Sequence, residues 1–153
     1  MVLAYDFRGV GDSSGSPETS LLDIDLRAAI SYTRQQGASS VVLLGASMGG
    51  TASLRVAGNE PVAAVITLSA PQSFGVTVMD ADLMKDRAPK LFVNSQGDTY
   101  ESATVRMYGL ANPPKQIHLY PGSEHGIDLF NGVNASDLSQ RILSFLAKYA
   151  PPE

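Results

Sequence analysis

Val41-Val42-Leu43-Leu44-Gly45-Ala46-Ser47-Met48-Gly49 is the stretch whose reading decides the fold. The apolar run from Val41 to Leu44 is a strand signal, and the residues from Ser47 to about Ala57 read as a helix. A serine therefore stands at the apex of a strand–turn–helix, the context in which a G-x-S-x-G match acquires mechanistic meaning. Such a turn is tight, so the residues two before and two after the serine are expected to be small; Gly45 and Gly49 meet that demand. The same crowding lifts the Ser47 hydroxyl clear of the sheet edge. It also aims the first N–H groups of the helix, Met48 foremost, at the place where an oxyanion would develop. Glycine and serine also make ordinary turns, and the flanking strand and helix are what separate this one from them.

Outward from this stretch, strand and helix signals alternate. Upstream, a short apolar run from Val2 to Tyr5 reads as a strand and leads into the glycine-rich loop Asp6-Phe7-Arg8-Gly9-Val10-Gly11-Asp12-Ser13. Leu22, Leu26, Ala29, Ile30 and Thr33 then recur at helical spacing, with Pro17 and Glu18 before them and Gly37 after. Downstream, strands are expected from Ala63 to Leu68, Leu91 to Asn94 and Gln116 to Tyr120. Helices are expected from Ala81 to Lys85, Ser102 to Leu110 and Asp137 to Tyr149. Near-continuous apolar strands alternating with helices imply an α/β fold: an open, mostly parallel sheet of about five strands with helices on both faces.

At 153 residues the length fits one domain spanning 1–153, burying roughly two-thirds of its unfolded surface. A 44% apolar and 17% charged composition is ordinary for a globular protein, and a net charge of -4 offers no footprint for nucleic acid. Cysteine is absent, which excludes disulfides, thiolate catalysis and Cys-ligated zinc and fits a cytoplasmic setting. No basic leader and no apolar run of membrane-spanning length is evident, so no membrane association is expected.

A serine hydroxyl needs a base within hydrogen-bond reach and a carboxylate to orient that base. The chain has two histidines, His118 and His125. His118 lies within an apolar strand, where an inert residue on a sheet face is the better reading. His125 lies just beyond that strand in Gly122-Ser123-Glu124-His125-Gly126, at the sheet edge where open parallel sheets place their ligands. Asp98 follows the strand from Leu91 to Asn94 through Ser95-Gln96-Gly97 and is the preferred acid. Glu101, at the start of a solvated helix, and Asp128, beyond the histidine, are its competitors.

The chain order Ser47, Asp98, His125, each after a successive strand, is that of the α/β-hydrolase arrangement. Gly45-Ala46-Ser47-Met48-Gly49-Gly50, Gly97-Asp98 and Ser123-Glu124-His125-Gly126 resemble the nucleophile elbow, acid loop and histidine loop of that superfamily. The segment from Asp6 to Ser13 resembles its D-x-R-G-x-G-x-S segment. The likeness covers nearly the whole chain and names a superfamily without naming a substrate.

The resemblance also implies about three strands ahead of the segment from Asp6 to Ser13, with a loop that supplies the second oxyanion donor. The chain shows neither, as a truncated version of the fold would. The strand from Val2 to Tyr5 is then expected to pair directly with that from Val41 to Leu44. Its loop would bring the Phe7 or Arg8 N–H to join Met48 as an oxyanion donor; the alternative is a structural turn with Arg8 paired to an acid. Association offers a second way to cover the open edge, which predicts a homodimer or larger homo-oligomer.

Only about twenty residues separate Leu68 from Leu91, too few for a cap domain. An open site lined by Phe7, Met48, Phe74, Val76 and Met79 is expected, although these residues also suit ordinary packing. The expected activity is that of a serine carboxylesterase on small-molecule esters of short acyl chains, with no organic cofactor and no metal. The rival reading is a catalytically impaired remnant serving as a binding or assembly module.

Overall fold

The computed structural model describes residues 1–151. Four strands, β1 (Val42–Ala46), β2 (Ala64–Leu68), β5 (Lys90–Ser95) and β6 (Lys115–Tyr120), form a parallel sheet in the order β1-β2-β5-β6. A small antiparallel hairpin, β3 (Ser73–Phe74) and β4 (Val76–Thr77), lies between β2 and β5 in the chain and has no counterpart in the sequence reading. The helices are α1 (Leu22–Gln35), α2 (Met48–Ala57), α3 (Asp80–Lys85), α4 (Glu101–Leu110) and α5 (Ala135–Tyr149). Their bounds fall within two residues of those the spacing predicts, α1 excepted, whose ends the sequence marks only by flanking residues.

Strand alternation divides the core into two layers. Along β2, Val65 joins the cluster formed with α1 to α4, whereas Ala64, Ile66 and Leu68 join the cluster under α5. In β5, Phe92 points to the first layer and Leu91 and Val93 to the second. A strand covered on both faces has no use for polar residues on either, which is why β2 reads as one apolar run. The covering helices carry single stripes: Leu22, Leu26 and Ile30 on α1, and Leu138, Ile142 and Phe145 on α5. Burying one such large side chain is worth roughly 1.5–3 kcal/mol.

Helix α2 is buried over most of its length, from Gly50 to Leu54 and at Val56 and Ala57. Its small side chains let it lie close on the sheet, and its buried hydroxyls are satisfied locally. Thr51 Oγ1 donates to Pro71 O at 2.6 Å and Ser53 Oγ to Gly49 O at 2.7 Å. At the opposite end of the sheet, the buried Lys90 ammonium lies 2.8 Å from Asp86 Oδ2 and donates to Ala88 O at 2.8 Å. A charge removed from water at that site is tolerable because its counter-ion is in place.

The sheet has four strands rather than about five, because residues 2–5 form no strand and do not pair with β1. The physical reason lies in the loop that follows. Arg8 donates from Nε to Asp25 Oδ1 at 2.8 Å, and its backbone N–H donates to Asp25 Oδ2 at 3.0 Å, so α1 holds this segment. Phe7 packs against the α1–α2 side of the core. The loop also closes on itself, with Gly9 N donating to Ser14 O at 3.1 Å and Ser13 Oγ to Asp6 O at 2.6 Å. Anchored over α1, the chain cannot deliver residues 2–5 to the edge of β1. That edge has no partner strand among the described residues, and Leu44 beside it is 51% exposed.

Candidate active site

Two non-glycine residues among those described have positive φ, Ser47 and Ser69, and the first stands at the β1–α2 turn. Ser47 has φ 47° and ψ -117°, a conformation that costs a non-glycine residue about 1–3 kcal/mol and persists only where its surroundings enforce it. Here the Ser47 N–H donates to Leu68 O at 2.8 Å, and Ser47 O accepts from Gly50 N at 2.9 Å and Thr51 N at 3.1 Å. A Cβ on Gly45 would collide with the Gly49 backbone, and one on Gly50 would sit 2.7 Å from Ala70 Cβ. A Cβ on Gly49 would meet nothing within 4 Å. The pair that must be small is thus Gly45 and Gly50, not Gly45 and Gly49 as the motif spacing predicts. It is Gly50, one residue further into α2, that faces the end of β2.

His125 is presented by the loop after β6, immediately before a 3-10 turn, Gly126–Phe130. Its Nε2 lies 2.8 Å from Ser47 Oγ and its Nδ1 2.6 Å from Asp98 Oδ2. Three residues from three separate loops thus form one hydrogen-bonded line. Asp98 is nearly enclosed, its side chain 2% exposed, whereas that of His125 is 38% exposed. An ionised carboxylate only accepts hydrogen bonds, so it selects the tautomer with the proton on Nδ1 and leaves Nε2 as an acceptor for the serine hydroxyl. The other Asp98 oxygen, Oδ1, accepts from Tyr100 N at 2.7 Å and from Asn94 Nδ2 at 3.3 Å. The Tyr100 ring rests against the imidazole, with centroids 5.6 Å apart.

The other sequence candidates lie elsewhere. His118, in β6, packs edge-on against Tyr120 with centroids 4.3 Å apart and lies 4.0 Å from Asp137. Burial, with Arg141 second, shifts its titration down, and Asp137 opposes them. The Tyr120 phenol, donating to Asp137 at 2.6 Å, is pushed up to about 12, first by burial and then by that carboxylate. Glu101 opens α4, and Asp128 accepts a hydrogen bond from Asn131 Nδ2 at 3.1 Å. Asp98 is the carboxylate that reaches His125.

Of the expected oxyanion donors, Met48 opens α2, where the first N–H groups of a helix lack intrahelical acceptors. Arg8 does not fit this role, since Asp25 takes both its backbone N–H and its guanidinium. The N–H of Phe7 makes no hydrogen bond among the described residues. Phe7, Met48 and Val76 are partly buried against the α1–α2 side of the core, and Phe7 also meets Tyr5 edge-on at 5.2 Å. Phe74, in the hairpin, and Met79 stay exposed, at 41% and 52%. Among the described residues no group of three or more His, Cys, Asp or Glu side chains is arranged to hold a metal ion, and no helix is long and apolar enough to cross a membrane.

Sequence reasoning missed the polar residues behind the line. Asn94, Ser95, Ser69 and Tyr100 stand in no motif, and their contacts span up to 29 residues of chain. The nearest signal was an asparagine and a serine closing an otherwise apolar strand.

Known proteins share this architecture. A family model described as "Alpha/beta hydrolase family" matches residues 2–148. The protein YfhR of Escherichia coli K12, itself described only as an uncharacterized protein, is 26% identical over 177 residues, covering 99% of this chain and 62% of its own length. The chain thus spans less than two thirds of that relative. An esterase from Pyrococcus furiosus superposes with a TM-score of 0.81 at 15% identity, over 94% of this chain and 69% of its own. A Paleococcus ferrophilus monoacylglycerol lipase gives 0.82 at 15% identity, over 96% and 83%. An alpha-beta serine hydrolase homologue from Coxiella burnetii gives 0.75 at 24% identity, over 91% and 65%. With the model match running through the elbow, the acid loop and the histidine loop alike, this chain belongs to the alpha/beta hydrolase family.

Proposed function

We propose that this protein is a serine carboxylesterase acting on small esters of short acyl chains. The observation that carries the reading is the line from Ser47 Oγ through His125 to the enclosed Asp98, with distances of 2.8 and 2.6 Å. Ser47 Oγ attacks the acyl carbon while His125 Nε2 takes its proton, and Asp98 holds the imidazolium that results. The carbonyl oxygen becomes an oxyanion facing the N–H of Met48 at the start of α2; one such donor is worth roughly 3 kcal/mol. The tetrahedral adduct collapses, the alkoxide leaves with the Nε2 proton, and Ser47 carries the acyl group. Water then attacks that ester, giving a proton to Nε2; on collapse the proton returns to Ser47 Oγ and the carboxylic acid departs.

Phe7, Met48 and Phe74 are the side chains proposed to bound the acyl group. With Phe7 and Met48 partly buried in the core and Phe74 exposed, they offer a shallow surface that suits a short chain over a long one. The resemblance to an esterase and a monoacylglycerol lipase, both enzymes of carboxylic esters by name, supports the substrate class.

The test is covalent labelling with a fluorophosphonate, followed by a panel of 4-nitrophenyl esters of increasing acyl length. The folded protein should label stoichiometrically, Ser47→Ala should not label, and acetate and butyrate esters should turn over faster than decanoate. A folded protein that fails to label would favour the binding or assembly module instead.

A further inference from the structure

Strand β5 ends in two buried polar residues: one bonds Asp98 itself, the other the residue that precedes His125. Asn94 and Ser95 are both 0% exposed, and strand alternation sends their side chains to opposite faces of the sheet. On the α4 face, Asn94 Nδ2 donates to Asp98 Oδ1 at 3.3 Å and to Thr104 Oγ1 at 3.0 Å. Its Oδ1 accepts from Ser69 Oγ at 2.7 Å and from Ser95 N at 2.8 Å. With three of these partners contributed by β2, β5 and α4 or their ends, the amide plane is fixed in one orientation. On the other face, Ser95 Oγ donates to Glu124 O at 2.8 Å, the residue before His125. The same loop is held by Gly97 N donating to Gly122 O at 2.8 Å.

We propose that Asn94 and Ser95 are positioning residues for the hydrolytic site: Asn94 sets the Asp98 carboxylate, and Ser95 sets the loop that presents His125. This rests on the assignment of Ser47, His125 and Asp98 proposed above. A core asparagine with four hydrogen bonds is a costly way to fill space, since an apolar side chain of the same shape would need none of them. What the amide adds is direction. A donor on Oδ1 turns the carboxylate so that Oδ2 meets Nδ1 in line, and it opposes rotation of the acid away from the imidazole. Reach alone does not secure rate, because a misplacement of about 1 Å in such a group costs roughly a hundredfold.

The experiment compares wild type with Asn94→Leu, Thr104→Val and Ser95→Ala, using 4-nitrophenyl acetate kinetics, the low-field proton NMR signal of the His125 Nδ1–H, and amide hydrogen exchange. His118→Gln in every background assigns the imidazole signal. Asn94→Leu should lower kcat about tenfold to a hundredfold with KM unchanged, and should broaden or abolish the low-field signal. Thr104→Val, which removes an acceptor of the amide without touching the site, should do the same to a smaller degree and carries the test where Asn94→Leu does not fold. Ser95→Ala should speed exchange of the 124–127 amides about fivefold, the loss of one net hydrogen bond, and lower kcat. Unchanged kcat and an unchanged low-field signal in a folded Asn94→Leu or Thr104→Val overturn the role of Asn94; unchanged kcat and exchange in Ser95→Ala overturn that of Ser95. Altered signal and exchange in a protein whose wild type hydrolyses no ester support the positioning roles and overturn the esterase reading.

Discussion

Ser47 is held in its left-handed conformation by neighbours that leave no room for an alternative, and the glycines around it divide into necessary and dispensable. Gly45→Ala puts a Cβ into the Gly49 backbone, where neither side can yield, and should destabilise the fold by about 3 kcal/mol or more. Gly49→Ala meets open space and replaces a poor helix former within α2, so its stability should be unchanged or higher by up to about 1 kcal/mol. Urea unfolding of the two variants checks both expectations, and equal losses would show that the turn is crowded on both sides. The motif told which serine to look at. It did not tell which glycine the strand touches, because that depends on how deeply α2 sinks toward β2, a distance set by Ala70 and Thr67 from another part of the chain.

The segment before α1 shows how a single long-range pair outweighs a local signal. Residues 2–5 have the composition of a strand, yet a strand needs a neighbour, and Arg8 takes the chain to Asp25 instead. The hydrogen-bonded Arg8 guanidinium holds the Asp25 carboxyl below the usual aspartate range. A carboxyl lowered in the folded state stabilises at pH above its unfolded value, about 3.9, and that contribution is lost as pH falls through the folded value. Asp25→Asn should therefore lower the melting temperature near neutrality. Its melting temperature and that of the wild type should converge as the pH drops below the ordinary aspartate range. A gap that persists in strong acid would mean that the carboxylate charge is not what holds the segment. The other elements were legible because their stripes, such as Leu138, Ile142 and Phe145, report burial directly. The β3–β4 hairpin was not, since two-residue strands carry no period.

Across the whole molecule, the parallel sheet is bounded on one side by β6 and on the other by β1, the strand that bears the elbow. An unpaired strand edge is prone to pairing with other chains, and Leu44 adds exposed apolar surface to this one. Leu44→Lys should slow aggregation on heating, followed by light scattering, while leaving the unfolding free energy within about 0.5 kcal/mol of wild type; aggregation at the wild-type rate would place the vulnerable surface elsewhere. By itself the sequence determined the α/β class, the order of the four sheet strands and five helices, and the three residues worth testing, because apolar period and the Ser, Asp, His order are local properties of a linear chain. It preferred Asp98 to Glu101 and Asp128 without showing which of them meets His125, offered Phe7 or Arg8 as an oxyanion donor, and passed over Asn94 and Ser95. Only the tertiary structure decided which of these groups meet, since each contact depends on where a polar group from a distant loop arrives in a buried place, and a buried polar group is defined by its partners rather than by its neighbours in sequence.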